Sequence, residues 1–181
     1  TGLGGQLPKK EASLYVGSAG TAARFLSAYL GLSGDGTYYM ESSAQMQKRP
    51  MAPLLDSLKS LGCEITYQGE EGHFPFTLKG HGFLRDRITV SIEESSQFLS
   101  ALLIVSCLAG QDFLTCIDGT HGRAYVEMTI KMMEQFGVTT VPLYYCSGNN
   151  ENHSCTGCIN SLLPYAYRTP GGQRYHALEY L

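Results

Sequence analysis

The chain repeats itself, and that repetition restricts its fold more than any other feature. Arg24-Phe25-Leu26-Ser27-Ala28 has a counterpart in Gln97-Phe98-Leu99-Ser100-Ala101. Each copy opens an apolar helical stretch, Leu26 to Leu32 and Leu99 to Ala109, then meets a glycine break at Gly34-Asp35-Gly36 or Gly110. Each continues into a strand-like run, Thr37-Tyr38-Tyr39-Met40 and Phe113-Leu114-Thr115-Cys116-Ile117. A second helix follows in both, Met51 to Leu61 and Tyr125 to Phe136. Leu54, Leu55, Leu58 and Leu61 share one helical face, and so do Met128, Met132 and Phe136. Both second helices stop at glycine, Gly62 and Gly137, as a left-handed C-terminal cap prefers, and both run on into strands, Cys63 to Tyr67 and Val138 to Tyr145.

The copies are offset by roughly 75 residues, beyond the roughly 20–50 of solenoid repeats. The expected fold is therefore α/β, built from a duplicated βαβαββ unit, with approximate units at 12–82 and 83–181 of a single domain. Helical crossovers between strands imply parallel, right-handed pairings. The first copy ends in a predicted hairpin, Glu64–Gln68 with Phe74–Lys79 around Gly69-Glu70-Glu71-Gly72. In the second copy the polar stretch Ser147 to Ser161 interrupts the equivalent hairpin and reads as a surface insertion.

With 181 residues and 43% hydrophobic content the chain can bury a proper core, whereas 16% charged residues is low and predicts that some surface is covered by another body. A net charge of −3 and the lack of a basic cluster argue against nucleic-acid or membrane-surface partners. The longest apolar stretch, Phe98 to Ala109, is broken by Ser100 and Ser106 and is too short to span a bilayer. A cytoplasmic location is expected. The start at Thr1 and the end at Leu181 read as cuts within a longer chain. Six cysteines do not make a disulfide scaffold at this length, and Cys63, Cys107 and Cys116 lie in apolar segments as core thiols. Cys146, His153, Cys155 and Cys158 are ligand types for zinc but lack finger spacing. Free thiols are the expectation there and a zinc site the alternative, with no metal or cofactor assigned.

Four junctions carry the residues suited to chemistry. Gly17-Ser18-Ala19-Gly20-Thr21-Ala22-Ala23-Arg24 links the strand Leu14–Val16 to a helix. Small residues let an anion approach the first N–H groups, and Arg24 can add charge. Lys48-Arg49-Pro50 precedes the second helix, and Arg49 can grip a carboxylate or phosphate with two bonds. Glu93-Glu94-Ser95-Ser96-Gln97 occupies the position of the Gly20 turn in the second copy, with more hydroxyls than one cap requires. Asp118-Gly119-Thr120-His121-Gly122-Arg123 leads to Tyr125, which can face a ring-shaped substrate. His121 alone reads as a surface residue. Taken singly, each segment suits a plain structural role as well.

Together they resemble the enolpyruvyl transferases, and among them the 5-enolpyruvylshikimate-3-phosphate synthases. The family turn Asn-Ala-Gly-Thr-Ala-x-Arg is matched by Ser18 to Arg24. Arg-Met-x-x-Arg-Pro is matched by Gln45 to Pro50, followed by the family's leucine-rich helix at Leu54–Gly62. Ser-Ser-Gln-Phe is intact at Ser95–Phe98, with Ser100-Ala101-Leu102-Leu103 after it, and Gly171-Gly172-Gln173 with Tyr175 resembles the family's last hairpin strand.

The resemblance implies an inside-out α/β barrel, with helices within and sheets outside, of which this chain holds about two of three units. It implies that Ser95, Ser96, Gln97 and Tyr125 meet shikimate 3-phosphate, and that Gly20, Thr21, Arg49 and Gln97 meet phosphoenolpyruvate, with Arg24 and Arg123 as further candidates. A Lys-Ser pair before Thr1 and the acid–base residues of a second domain after Leu181 are also implied. On that reading the chain binds and does not turn over. Three residues depart from the family pattern: Ser18 for Asn, Gln45 for Arg, and Gly122 for a phosphate-binding Ser. The rivals are the sister transferase acting on UDP-N-acetylglucosamine and a non-catalytic binding domain. The first usually has a cysteine before its Arg-Pro, and none lies between Gly20 and Pro50.

Overall fold

The computed structural model describes residues 6–109, 113–141, 166–168 and 175–180. In chain order it runs β1 (Glu11–Tyr15), α1 (Gly20–Leu32), β2 (Asp35–Glu41), α2 (Ala44–Gln47), α3 (Ala52–Ser60), β3 (Glu64–Tyr67) and β4 (Phe76–His81). It continues with β5 (Arg87–Ser91), α4 (Gln97–Ser106), β6 (Leu114–Asp118), α5 (Arg123–Gln135), β7 (Thr139–Val141), β8 (Ala166–Arg168) and β9 (Tyr175–Tyr180).

These strands form two sheets, ordered β1-β2-β4-β3 and β5-β6-β9-β8-β7. The opening of each copy is the same. β1 pairs parallel with β2 across α1, Glu11 opposite Thr37 through Tyr15 opposite Glu41. β5 pairs parallel with β6 across α4, Arg87 opposite Leu114 through Ser91 opposite Asp118. Alternation sets the faces: in β2 Tyr38 and Met40 are buried while Thr37 and Glu41 are exposed. The hairpin predicted at the end of the first copy is the antiparallel pair β3–β4, with Glu64 opposite Lys79.

The second copy ends differently. β9 lies parallel to β6, and β8 stands between β9 and β7 with antiparallel pairings to both. In the first sheet the strand beside β2 is antiparallel to it. One additional strand in the return path reverses the direction in which the chain arrives at β6, which a two-strand hairpin does not do. The predicted strand at Val138 to Tyr145 is described as β7 only. The insertion at Ser147–Ser161, with Cys155, Cys158 and His153, lies outside the described residues, as do Cys146 and Gly171–Gln173.

The helices lie against one another: α1 packs on α4 and α3, and α4 on α3 and α5. α4 shows why they are inside. Phe98, Leu99, Ser100, Ala101, Leu102, Leu103, Val105 and Ser106 are all buried, which leaves no polar stripe for water. The hydroxyls in this interior are satisfied locally: Ser27 Oγ donates to the Ala23 carbonyl and Ser106 Oγ to that of Leu103, each at 2.7 Å. On α3, Leu54, Leu55 and Leu58 are buried as the leucine spacing predicts, with Leu61 buried just beyond it. Burying each such side chain contributes about 1.5–3 kcal/mol. Gly62 and Gly137 close α3 and α5 with φ of 110° and 85°, the left-handed backbone expected of them.

Met128, Met132 and Phe136 share the exposed face of α5, at 58%, 52% and 81% exposure, while its buried face is Val126, Ile130 and Met133. Methionine and phenylalanine at helical spacing mark a face, but not which neighbour covers it. No helix among the described residues is long and apolar enough to cross a membrane.

Candidate functional site

The turn from β1 into α1 is held from outside. Val16 N–H donates to the Glu41 carbonyl at 2.9 Å and Ala19 N–H to that of Val16 at 3.2 Å. α1 then starts at Gly20, six residues before the apolar stretch read from the sequence, so Gly20 and Thr21 form its first turn rather than a loop. The N-cap residue Ala19 supplies no side-chain acceptor, leaving the first N–H groups of α1 without an internal partner.

Two guanidinium groups flank this turn. A Cβ added at Gly20 would sit 3.0 Å from Arg24 Nη1 and 3.1 Å from Arg49 Nη1. A side chain here would crowd both cations, and one of them would have to shift by a few tenths of an ångström. Arg49 is exposed and follows α2, its N–H bonded to the Met46 carbonyl at 3.0 Å. Arg49 stands just before the second helix, as the sequence indicates: Met51 is the N-cap of α3 and Pro53 lies in its first turn. Arg49 therefore lies between two helices, because Ser43 nucleates α2 by capping Met46 N–H at 3.3 Å.

Arg24 is 8% exposed. Its Nη1 donates to Gln97 Oε1 at 2.7 Å, and its guanidinium carbon lies 5.0 Å from the centre of the Phe98 ring. Burial, and next the Arg49 charge, lower its pKa, while Glu94 acts in the opposite direction. Gln97 Nε2 donates in turn to Thr21 Oγ1 at 3.0 Å. The first turns of α1 and α4 are thereby tied through side chains.

Beyond Gln97 the contacts continue to α5. Ser95 Oγ accepts from Gln97 N–H at 3.3 Å, while Ser96, the N-cap residue of α4, makes no cap bond and is 6% exposed. A Cβ at Gly122 would sit 2.5 Å from Ser96 Oγ and 3.6 Å from Tyr125 Cδ2. Gly122 has φ of 67° and is the N-cap residue of α5, whose first residue is Arg123. Tyr125, one turn in, is 64% exposed. His121 is exposed at the same junction. Glu93 Oε1 accepts the Thr120 N–H at 3.0 Å and so holds this loop against the start of α4.

The candidates thus form one continuous series: Arg49, Gly20, Arg24 with Thr21, Gln97, Ser96, Gly122 and Tyr125. Sequence reasoning missed Ser43, whose Oγ lies 2.7 Å from Ser18 Oγ, and Phe98 as the platform under Arg24. A serine between a strand and a short helix is a capping signal that marked Ser43. Of the three departures, Ser18 reaches Ser43, Gln45 is exposed on α2, and at Gly122 the place of a side chain is taken by Ser96. A groove of about 940 Å³ lies elsewhere, between α3 and the edge strand β5. It brings Asp56 and Asp86 together with Arg85 and Arg87, a mixed charge less suited to a multiply charged anion.

The sequence profile of EPSP synthase (3-phosphoshikimate 1-carboxyvinyltransferase) matches residues 1–157, most of the chain. The chain belongs to the EPSP synthase family. A 3-phosphoshikimate 1-carboxyvinyltransferase of Nostoc punctiforme is 33% identical over 180 residues, covering 99% of this chain and 38% of the relative. One from Cellvibrio japonicus is 40% identical over 139 residues, covering 76% and 32%. The chain therefore spans well under half the length of these relatives. A solved EPSP synthase of Acinetobacter baumannii aligns with TM-score 0.53 and 27% identity over 71% of this chain and 28% of its own. The fold is that of the EPSP synthases, an inside-out α/β barrel of which this chain is a part. β8 and β9, where the second sheet departs from the first, follow the last residue matched by the EPSP synthase profile.

Proposed function

We propose that this chain is the shikimate-3-phosphate-binding part of an enzyme that transfers the enolpyruvyl group of phosphoenolpyruvate to the 5-hydroxyl of shikimate 3-phosphate, on the route to chorismate and the aromatic amino acids. The observation that carries the reading is the clamp at Gln97. Its amide bridges Arg24 and Thr21, and it stands between the Arg24–Arg49 pair at Gly20 and the Ser96–Gly122–Tyr125 group. The first group suits the anionic phosphoenolpyruvate: the exposed Arg49 cation with the Arg24 charge behind it, open helix N–H groups and a glycine approach. The second suits a phosphorylated ring, with Ser95 and Ser96 hydroxyls for phosphate and the exposed Tyr125 ring for the carbocycle.

These groups are cations and hydrogen-bond donors, which hold anions. Enolpyruvyl transfer also moves protons to and from the reacting carbon and oxygen. We assign those acid–base groups to a second domain of the same enzyme, which closes on this wall. The chain then works as two linked units, 12–82 and 83–181, that bind without turnover, in the cytoplasm, with no cofactor.

Calorimetry of the chain with shikimate 3-phosphate and with UDP-N-acetylglucosamine tests the assignment. Saturable heat with the first and none with the second is expected. The reverse pattern favours the sister transferase, and no heat with either favours a non-catalytic domain. Phosphate release by the chain with both enolpyruvyl-transfer substrates present would contradict binding without turnover.

A further inference from the structure

We propose that Arg24 is a positioning residue: it fixes the orientation of the Gln97 amide, so that the chain presents N–H and O–H donors to an anion while the guanidinium itself stays out of contact. The inference rests on the function proposed above. Arginine carries only donors, so the group facing Arg24 Nη1 at 2.7 Å must be the Gln97 oxygen. Reversing the amide would set NH2 against the guanidinium. Nε2 is therefore turned outward, where one proton goes to Thr21 Oγ1 at 3.0 Å and the second remains for a ligand.

Thr21 extends the relay. Having accepted from Nε2, its hydroxyl is free to donate into the cleft, and Thr21 is exposed. A hydrogen bond to a charged donor polarises the next bond along the chain. The buried charge of Arg24 thus reaches the surface as two neutral donors. The guanidinium is kept in place by the Phe98 ring at 5.0 Å and by its burial, and its Nε is buried without a hydrogen-bond partner.

Two readouts on the 181-residue chain test this. The first needs no ligand: the Gln97 side-chain amide pair in the nitrogen–proton spectrum, assigned by its loss in Gln97→Met. In Arg24→Met its proton exchange should speed up by about tenfold or more, since a bond to a charged group is lost. In Arg24→Lys, which is also donor-only, the pair should stay protected. The second is phosphoenolpyruvate affinity, expected to fall about tenfold in Arg24→Met but less than about twofold further when Gln97→Met is already present, because the two act as one unit.

An unchanged amide pair in Arg24→Met, or a full tenfold loss repeated in the Gln97→Met background, would overturn the proposal. If Arg24→Met does not fold, Arg24→Lys decides: a protected pair supports the role and an unprotected pair refutes it. If the unaltered chain does not bind phosphoenolpyruvate, the functional assignment fails, and the ligand-free readout still decides the positioning role.

Discussion

Gln97 Nε2 donates to Thr21 Oγ1 at 3.0 Å, a bond between residues 76 positions apart that joins the first turns of α1 and α4. The two residues lie at the starts of equivalent helices in a doubled sequence. Their contact shows what duplication achieves here: two parallel strand–helix junctions face each other, so two helix starts serve one place.

Gly20→Ala separates folding from binding. Alanine is the better helix former by up to about 1 kcal/mol, so a urea midpoint should hold or rise slightly. The new methyl would meet both Arg24 Nη1 and Arg49 Nη1 near 3 Å. Buried Arg24 has little room, so exposed Arg49 must move. Phosphoenolpyruvate affinity should fall by about tenfold or more, the cost of one charge-assisted bond.

At Gly122, restoring the family's serine should not restore a phosphate contact. The backbone stands at φ 67°, and the added Cβ would lie 2.5 Å from Ser96 Oγ. Gly122→Ser should cost about 1–3 kcal/mol in chemical denaturation, and shikimate 3-phosphate should bind less tightly, not more.

The two faces of α5 predict unequal costs. Ile130 is 3% exposed and Met132 is 52% exposed. Ile130→Ala should lose about 2–4 kcal/mol of stability, and Met132→Gln less than about 0.5 kcal/mol. Thermal or urea unfolding of the two variants compares them directly.

Cys63 supplies a pH test. Burial raises its thiol pKa from 9.0 to about 11, partly offset by a backbone hydrogen bond. The folded chain therefore holds this proton more tightly than the unfolded chain. The stability it carries is complete below pH 9 and is lost as pH rises towards 11. From pH 8 to 11 the unaltered chain should lose about 2 kcal/mol more than Cys63→Ala does, and at pH 8 the folded thiol should react slowly with a maleimide.

Much of this architecture was legible in the residues. The repeat at Arg24 and Gln97 gave the parallel pairs, and Gly62 and Gly137 marked helix ends, because backbone chemistry there is local. The junction residues were legible as a set because helix starts and small residues have few other uses. The fate of Met128, Met132 and Phe136 was not, since periodicity marks a face but not its neighbour. The Arg24–Gln97–Thr21 relay was also hidden: it depends on side chains 73 and 76 positions apart meeting within hydrogen-bond distance. The parallel β6–β9 pair was hidden as well, because one more strand in the return path changes its direction without altering any local pattern.

The central claim is that Arg49, Gly20, Gln97, Ser96 and Tyr125 form one surface for a phosphorylated ring and phosphoenolpyruvate. A residue-resolved nitrogen–proton titration of the chain with shikimate 3-phosphate, then phosphoenolpyruvate, tests it most directly. The account predicts that perturbed amides cluster at Ser95–Gln97 and Tyr125 with the first ligand and extend to Gly20, Thr21 and Arg49 with the second. Perturbations centred instead on the groove between α3 and β5, or scattered over both sheets, would contradict it.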